Sequence, residues 1–531
     1  MSFLNDAKDF CYMQPGIPQE TLEKVAELVG FDGNLAKVQL VELAVARLWG
    51  VPFKMATLVT QDMAYFKYPM HDAFTLKLHS DTDISFDATS MEISFNGQNL
   101  YTTSSNETFG FLKELIAKLP ASDKSIISQF ERIAAPRIYC RGQIPEKKLQ
   151  AALAEYSEAV QAPAADDIIM LIDDTFKGKA DNHLLITKDR LYIDQFLKRP
   201  MQRRLYSNTV IAYLPPEKDK SICTLTINSV PVCSIYSEES AKLLVAAMQE
   251  LQKECPAGDA SFMGIFEQII HQEISVKPYI PAKFISNALA NFKLLDLPVD
   301  EILVMVDDTL ADSFKNGLIL TKNCLYVKAL LKDTYAIELS HETDVQLDSE
   351  KQIVVNGKPI FKFTGSDLNG PQTFVRGLQC LISTLEGTQK SALEMRISKI
   401  VHGRFHKAPH IPQDKLSNAI AEYASDAKPE EVLCLFDDSV MENGKAGVLL
   451  TKDTVYACTT VIQLKRMKNA SFKDMLNPYY TKKVIISSGD VIACKGSDLL
   501  INGDIVCSLD NDGKEIVPQL VELLDLVKNC Q

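Results

Sequence analysis

Three paired carboxylates recur at one spacing in this 531-residue chain: Asp173-Asp174-Thr175, Asp307-Asp308-Thr309 and Asp437-Asp438-Ser439. Each first aspartate stands 14 residues before a threonine of a second recurring motif, at Thr187, Thr321 and Thr451. Oxygen-rich pairs suit a hard cation such as Ca²⁺, Mg²⁺ or Mn²⁺, and a bound cation would open a route to catalysis. The competing reading is local. Each pair ends an apolar run (IIMLI, ILVMV, VLCLF), where aspartate followed by threonine or serine folds into an Asx-type turn. The turn is the expected role, and Asp173, Asp174, Asp307, Asp308, Asp437 and Asp438 remain the metal candidates. Ala46-Arg47 stands at the corresponding count in the first part of the chain.

His402, His406 and His410 recur at every fourth residue, the spacing that sets imidazoles on one helix face for a transition metal. Gly403 and Pro409 oppose a continuous helix through them. Two basic clusters are binding candidates: Lys198, Arg199, Arg203 and Arg204, then Lys465, Arg466, Lys468 and Lys473. On loops they would meet anionic lipid headgroups or an acidic partner, each charge near an anionic surface adding on the order of 1 kcal/mol. The bland alternative is counter-charge on a solvated loop. Glycine-rich phosphate loops, HExxH and GxSxG are absent from the sequence. Catalysis therefore has no obvious home.

The elements that must position these residues repeat four times. Ile17-Pro18, Ile144-Pro145, Ile280-Pro281 and Ile411-Pro412 each precede apolar residues at helical spacing, as in Leu149, Leu153 and Tyr156. Proline suits a helix start because its missing N–H has no partner there anyway. Thr60-Gln61-Asp62, Thr187-Lys188-Asp189, Thr321-Lys322-Asn323 and Thr451-Lys452-Asp453 each lie between two β-rich runs and read as hairpins. Both landmarks recur at intervals of 127 to 136 residues, which is the signature of an internal repeat. Asn96-Gly97, Asn228-Ser229, Asn356-Gly357 and Asn502-Gly503 mark further hairpins, and an amphipathic stretch such as Leu520, Leu523, Leu524 and Val527 closes each copy. Phe130 and Ile133, Phe266 and Ile269, and Ile397 and Ile400 occupy matching places in helical stretches between copies. These read as linkers through which the copies pack in a semi-rigid array. The expected boundaries are 1–125, 126–260, 261–392 and 393–531, and the expected class is α+β.

Composition narrows the function classes. A net charge of -13 repels phosphate backbones, so a nucleic-acid partner is not expected. Twelve cysteines without a CxxC pair read as reduced core residues, and no cofactor is expected. No apolar stretch reaches the roughly 18 to 20 residues of a spanning helix. MSFLNDAKDF has neither a basic start nor an apolar run, so a cytoplasmic location without a secretory signal is expected, with a peripheral place at the membrane as the alternative.

The strand, threonine turn and strand-to-tyrosine element in GLILTKNCLYV and GVLLTKDTVYA resembles the central hairpin of bacterial pleckstrin-homology-like domains of the GRAM and YokE type. The resemblance covers about ten residues per copy in motif and the remainder in layout. It implies tandem copies of a non-catalytic fold used to bind lipids or proteins, and it transfers no individual site residue. The expected function is a non-enzymatic scaffold that docks protein partners or associates with itself. The alternatives are peripheral binding of anionic membrane through the basic loops and a cation-dependent enzyme using the aspartate pairs.

Overall fold

An apolar run, a threonine and two polar residues make a tight hairpin four times in the computed structural model. The backbone N–H of Thr60, Thr187, Thr321 and Thr451 donates to the carbonyl three residues on, at 2.8, 3.0, 2.9 and 3.0 Å. The threonine hydroxyl oxygen accepts the returning N–H at 3.1, 3.2, 3.1 and 3.2 Å. Threonine therefore serves both strand and turn, which is why it recurs where neighbouring residues drift. The structure describes residues 10–48, 51–68, 72–103, 106–156, 161–175, 180, 182–195, 200–216, 222–271, 273–309, 313–330, 332–364, 369–385, 391–439, 442–460, 479–509 and 513–529.

The architecture is α+β, with every strand pairing antiparallel. One element order recurs in four segments, with the lead-in helix described in the second, third and fourth, and the second shows it clearly. A lead-in helix (Ile126–Glu131), a short first strand (Ile138–Cys140) and an opening helix (Glu146–Tyr156) precede strands Met170–Asp173, His183–Ile186, Arg190–Asp194 and Met201–Arg204. The first strand and these four form a five-stranded sheet in which the first strand takes an edge beside Met170–Asp173. Strands Ile211–Leu214, Cys223–Ile227 and Val230–Ile235 form a separate three-stranded sheet, and the closing helix Glu238–Lys253 follows. The first strand was not legible in the sequence. Three residues carry no periodicity, and the partner strand lies about thirty positions away.

The Asn-Gly turns behave as composition suggests. Asn96, Asn356 and Asn502 have φ of 51°, 49° and 54°, and the glycines after them have φ of 75°, 76° and 84°. Ser229 takes the glycine position at φ 66°, in a region costly for a side chain. Each asparagine side chain also accepts a backbone N–H from the start of the same sheet, from Asp83, Val210, Asp344 and Val491 at 2.9–3.1 Å.

The inter-copy helices differ from expectation. Phe130 and Ile133 are buried in one core with Leu244, Met248 and Leu251 of the closing helix of their own segment. Likewise Leu393 and Ile397 pack with Leu520 and Leu524, and the Phe266 ring lies 5.8 Å from that of Phe374. These helices are therefore parts of the following segment's core and not linkers between copies. Sequence periodicity shows that a face is buried but not against which partner.

The chain divides into two compact units, residues 1–260 with 267–272, and residues 261–266 with 273–531. Each holds two runs of the element order. Eight of the cysteines among the described residues are buried, whereas Cys494 is exposed. Among the described residues no helix is long and apolar enough to cross a membrane.

Candidate functional site: the segment junctions

Each aspartate pair ends its strand as the sequence indicates, at Met170–Asp173, Val304–Asp307 and Cys434–Asp437. The first carboxylate folds the chain locally. Asp173 Oδ1 accepts the Thr175 N–H at 3.1 Å and its hydroxyl at 2.5 Å. Asp307 takes the same pair from Thr309 at 3.0 and 2.6 Å, and Asp437 from Ser439 at 3.0 and 2.5 Å. These are Asx turns with the hydroxyl added. The second carboxylates turn elsewhere: Asp308 accepts from Thr364 at 2.6 Å and from Asn316 at 3.0 Å. Burial raises the pKa of Asp174 and Asp308 from the ordinary aspartate value. Among the described residues, no group of three or more His, Cys, Asp or Glu side chains is placed to hold a metal ion.

In the first segment, counting back from the threonine leads to Ala46-Arg47, but strand register leads elsewhere. Asp173 pairs with His183, four residues before Thr187, whereas four residues before Thr60 is Ala56, which pairs with Leu43. The first hairpin is longer, with strands Leu40–Leu48 and Val51–Val59, so equal counting misses the structural counterpart.

What the sequence reading missed is a lysine. Lys148, on the opening helix of the second segment, places Nζ 2.7 Å from Asp173 Oδ2 and 2.7 Å from Asp72 Oδ2 of the first segment. Lys415 of the fourth segment repeats this in the other unit, at 2.7 Å from Asp437 and 2.8 Å from Asp333 of the third segment. One ammonium thus ties the buried turn of its own segment to the loop of the preceding one. Burial alone would lower the pKa of Lys148, but its hydrogen bonds to Asp173 and Asp72 outweigh that and raise it. At Asp333, burial pushes the carboxyl pKa up, but the Lys415 hydrogen bond and charge prevail and lower it. The first and third segments carry Thr21 and Phe284 at the lysine position. The signal was present as an alternation, Thr, Lys, Phe, Lys, but it is invisible to a search for what all copies share.

Two further contacts close each junction. The strand Phe74–Lys77 lies beside Ile138–Cys140, and Tyr335–Glu338 beside Phe405–Lys407. Gln98, next to the Asn96-Gly97 turn, donates to Arg132 O at 2.9 Å and accepts from the Ala134 N–H at 2.9 Å and the Ser240 hydroxyl at 3.0 Å. At the matching place in the other unit Lys358 forms an ion pair with Glu515. A neutral hydrogen bond and a charge pair thus do the same work.

The histidines do not share a helix face. His402 lies before the first strand of the fourth segment, where its Nδ1 accepts the Arg404 N–H at 3.2 Å. His406 is inside the strand Phe405–Lys407, 2% exposed, with neither ring nitrogen hydrogen-bonded. Burial, then the charge of Lys415, lowers its pKa to about 4. His410 sits edge-on to Tyr326 with ring centroids 5.6 Å apart.

Of the basic candidates, Arg203 and Arg204 lie on the strand Met201–Arg204 and not on a loop. Arg203 is buried, donating through Nε to Ile269 O and through Nη1 to Gln202 O at 2.8 Å. Arg204 places its guanidinium carbon 5.9 Å from the Tyr206 ring centroid. Lys198, Arg199, Lys465, Arg466, Lys468 and Lys473 fall outside the described residues.

Comparison with protein-family models, with curated proteins and with solved structures yields no match.

Proposed function

We propose that this chain is a non-enzymatic docking scaffold: four pleckstrin-homology-like segments, at 1–125, 126–260, 261–392 and 393–531, joined as two latched pairs that hold protein partners. The two-sheet layout with a closing helix supports the pleckstrin-homology-like reading. The observation that carries the docking role is an alternation at the edge of the three-stranded sheets. The second segment of each unit exposes a valine immediately before its edge strand, Val210 at 58% and Val491 at 65%, whereas the first segments carry Asp83 and Asp344 there. Strands Ile211–Leu214 and Ile492–Lys495 are sheet edges with no strand among the described residues paired on their outer sides, although the Ile211 carbonyl accepts from Gln249 Nε2 at 3.2 Å. A strand from a partner could add at these edges, and an apolar flank favours such addition. A charge at the same place discourages it, as an edge guard does. Two equivalent edges on one chain make the docking bivalent.

The use of Asp173 and Asp437 as lysine-bound turn formers favours this reading over cation-dependent catalysis. The burial of Arg203 weakens the lipid alternative at one of its residues. The experiment compares the chain with Val210→Lys and Val491→Lys by affinity capture of partners and by light scattering. Each single change is expected to weaken association and the double change to abolish it, with melting temperature unaltered. A monomer that captures no partner, or partners held equally by the double variant, would sink the proposal.

A further inference from the structure

Both units carry a cleft at the same place, between the opening helix of the first segment and the turn leading into the opening helix of the second. In the first unit it measures about 1320 Å³ and includes Tyr65, Asp72, Thr75, Lys77, Arg141 and Gln143. Its central polar groups are matched to each other, since the Thr75 hydroxyl donates to Gln143 Oε1 at 2.5 Å. In the second unit the cleft is smaller, about 420 Å³, and its walls are aromatic and aliphatic: Phe292, Leu297, Tyr326, Tyr335, Ala336 and Pro409. Ala336 and His410 replace Thr75 and Gln143, so that internal hydrogen bond is gone. Thr334 replaces Ala73, and its hydroxyl oxygen, buried at the cleft wall, has no hydrogen-bond partner.

We propose that the cleft of the second unit binds a small, uncharged, planar aromatic molecule that carries one hydrogen-bonding group at its edge. The volume falls in the range of small-molecule sites, which pair apolar walls with a few orienting polar groups. Flat walls from Tyr326 and Tyr335, with the His410 ring set at 90° to Tyr326, favour a planar aromatic by edge and face contacts. The cation at the rim is already neutralised, because Lys293 lies 3.5 Å from Asp333 and 3.6 Å from Asp414. Burial lowers the pKa of His410, so the imidazole adds no cation at neutral pH. An anionic ligand would thus find no free cation there among the described residues, a cationic one only the water-exposed Asp296, and a purely apolar one would leave the Thr334 hydroxyl buried and unsatisfied, which is unfavourable. A polar edge group facing Thr334 meets both conditions.

The probe is indole, with benzothiophene as a comparator of the same shape that lacks the N–H. Titration calorimetry and saturation-transfer NMR on the full chain are expected to show one indole site. Thr334→Val should weaken indole roughly fivefold, the loss of one neutral hydrogen bond, and leave benzothiophene unchanged. Ala336→Phe, which fills the cleft, should abolish binding of both. If Ala336→Phe lowers the melting temperature and fails to fold, the Thr334→Val comparison decides alone. No indole binding at millimolar concentration, or binding that Thr334→Val leaves unaltered, would overturn the proposal.

Discussion

Replacing Lys415 by methionine tests the junction latch most directly. Its side chain is 1% exposed and Asp437's is 0% exposed, so the substitution strands a buried carboxylate that keeps only hydrogen bonds from Ser439 and Gly444. Breaking a buried pair by removing one partner costs about 3–5 kcal/mol. The same change at Lys148 should cost less, because Lys148 is 10% exposed and its second partner Asp72 is 50% exposed. The expectation is therefore an ordered pair, with Lys415→Met above Lys148→Met by at least about 1 kcal/mol. Denaturant unfolding gives the free energies, and hydrogen exchange followed by mass spectrometry locates them. Protection should fall in the strands Cys434–Asp437 and Tyr335–Glu338 for the first variant, and in Met170–Asp173 and Phe74–Lys77 for the second. Adding Asp437→Asn to Lys415→Met should restore most of the loss, since the uncompensated charge goes with it. A Lys415→Met loss below about 1 kcal/mol, or a double variant less stable than the single one, would refute the latch.

Three further outcomes are expected. His406 keeps its folded pKa near 4 against the ordinary 6.5, so the unfolded chain takes up the proton first. Its contribution to stability is complete above pH 6.5 and is lost as pH falls toward 4, by about 2 kcal/mol between pH 7 and 5. Replacing it by leucine should flatten that slope in denaturant titrations, and an unaltered slope would contradict the assignment. Gly377→Ala should destabilise by about 1–3 kcal/mol despite better helix propensity, because the new methyl would sit 2.5 Å from the Phe266 ring; Gly110→Ala meets nothing within 4 Å and should stabilise by up to about 1 kcal/mol. Thermal melts that rank the two in the opposite order would show that the Phe266 contact is misplaced. Ser229→Gly should raise stability by several tenths of a kcal/mol, since it relieves a side chain held at φ 66°; a fall in melting temperature would disprove the strain.

The sequence alone determined what is local and repeated. The Thr hairpins, the Asn turns with positive φ, the proline-started opening helices and the aspartate turns depend on residues within a few positions of each other, so short motifs encode them. The fourfold recurrence follows from counting those motifs. Tertiary structure decided which partner each buried face meets. The faces of Phe130 and Ile397 were legible as apolar, but their docking onto Leu244 and Leu520 of their own segments required a closure across more than a hundred residues. The same holds for the junctions. Asp72 and Asp173 are separated by a hundred positions, and nothing local distinguishes Lys148 from any helix lysine until the fold brings both carboxylates within 2.7 Å of its ammonium.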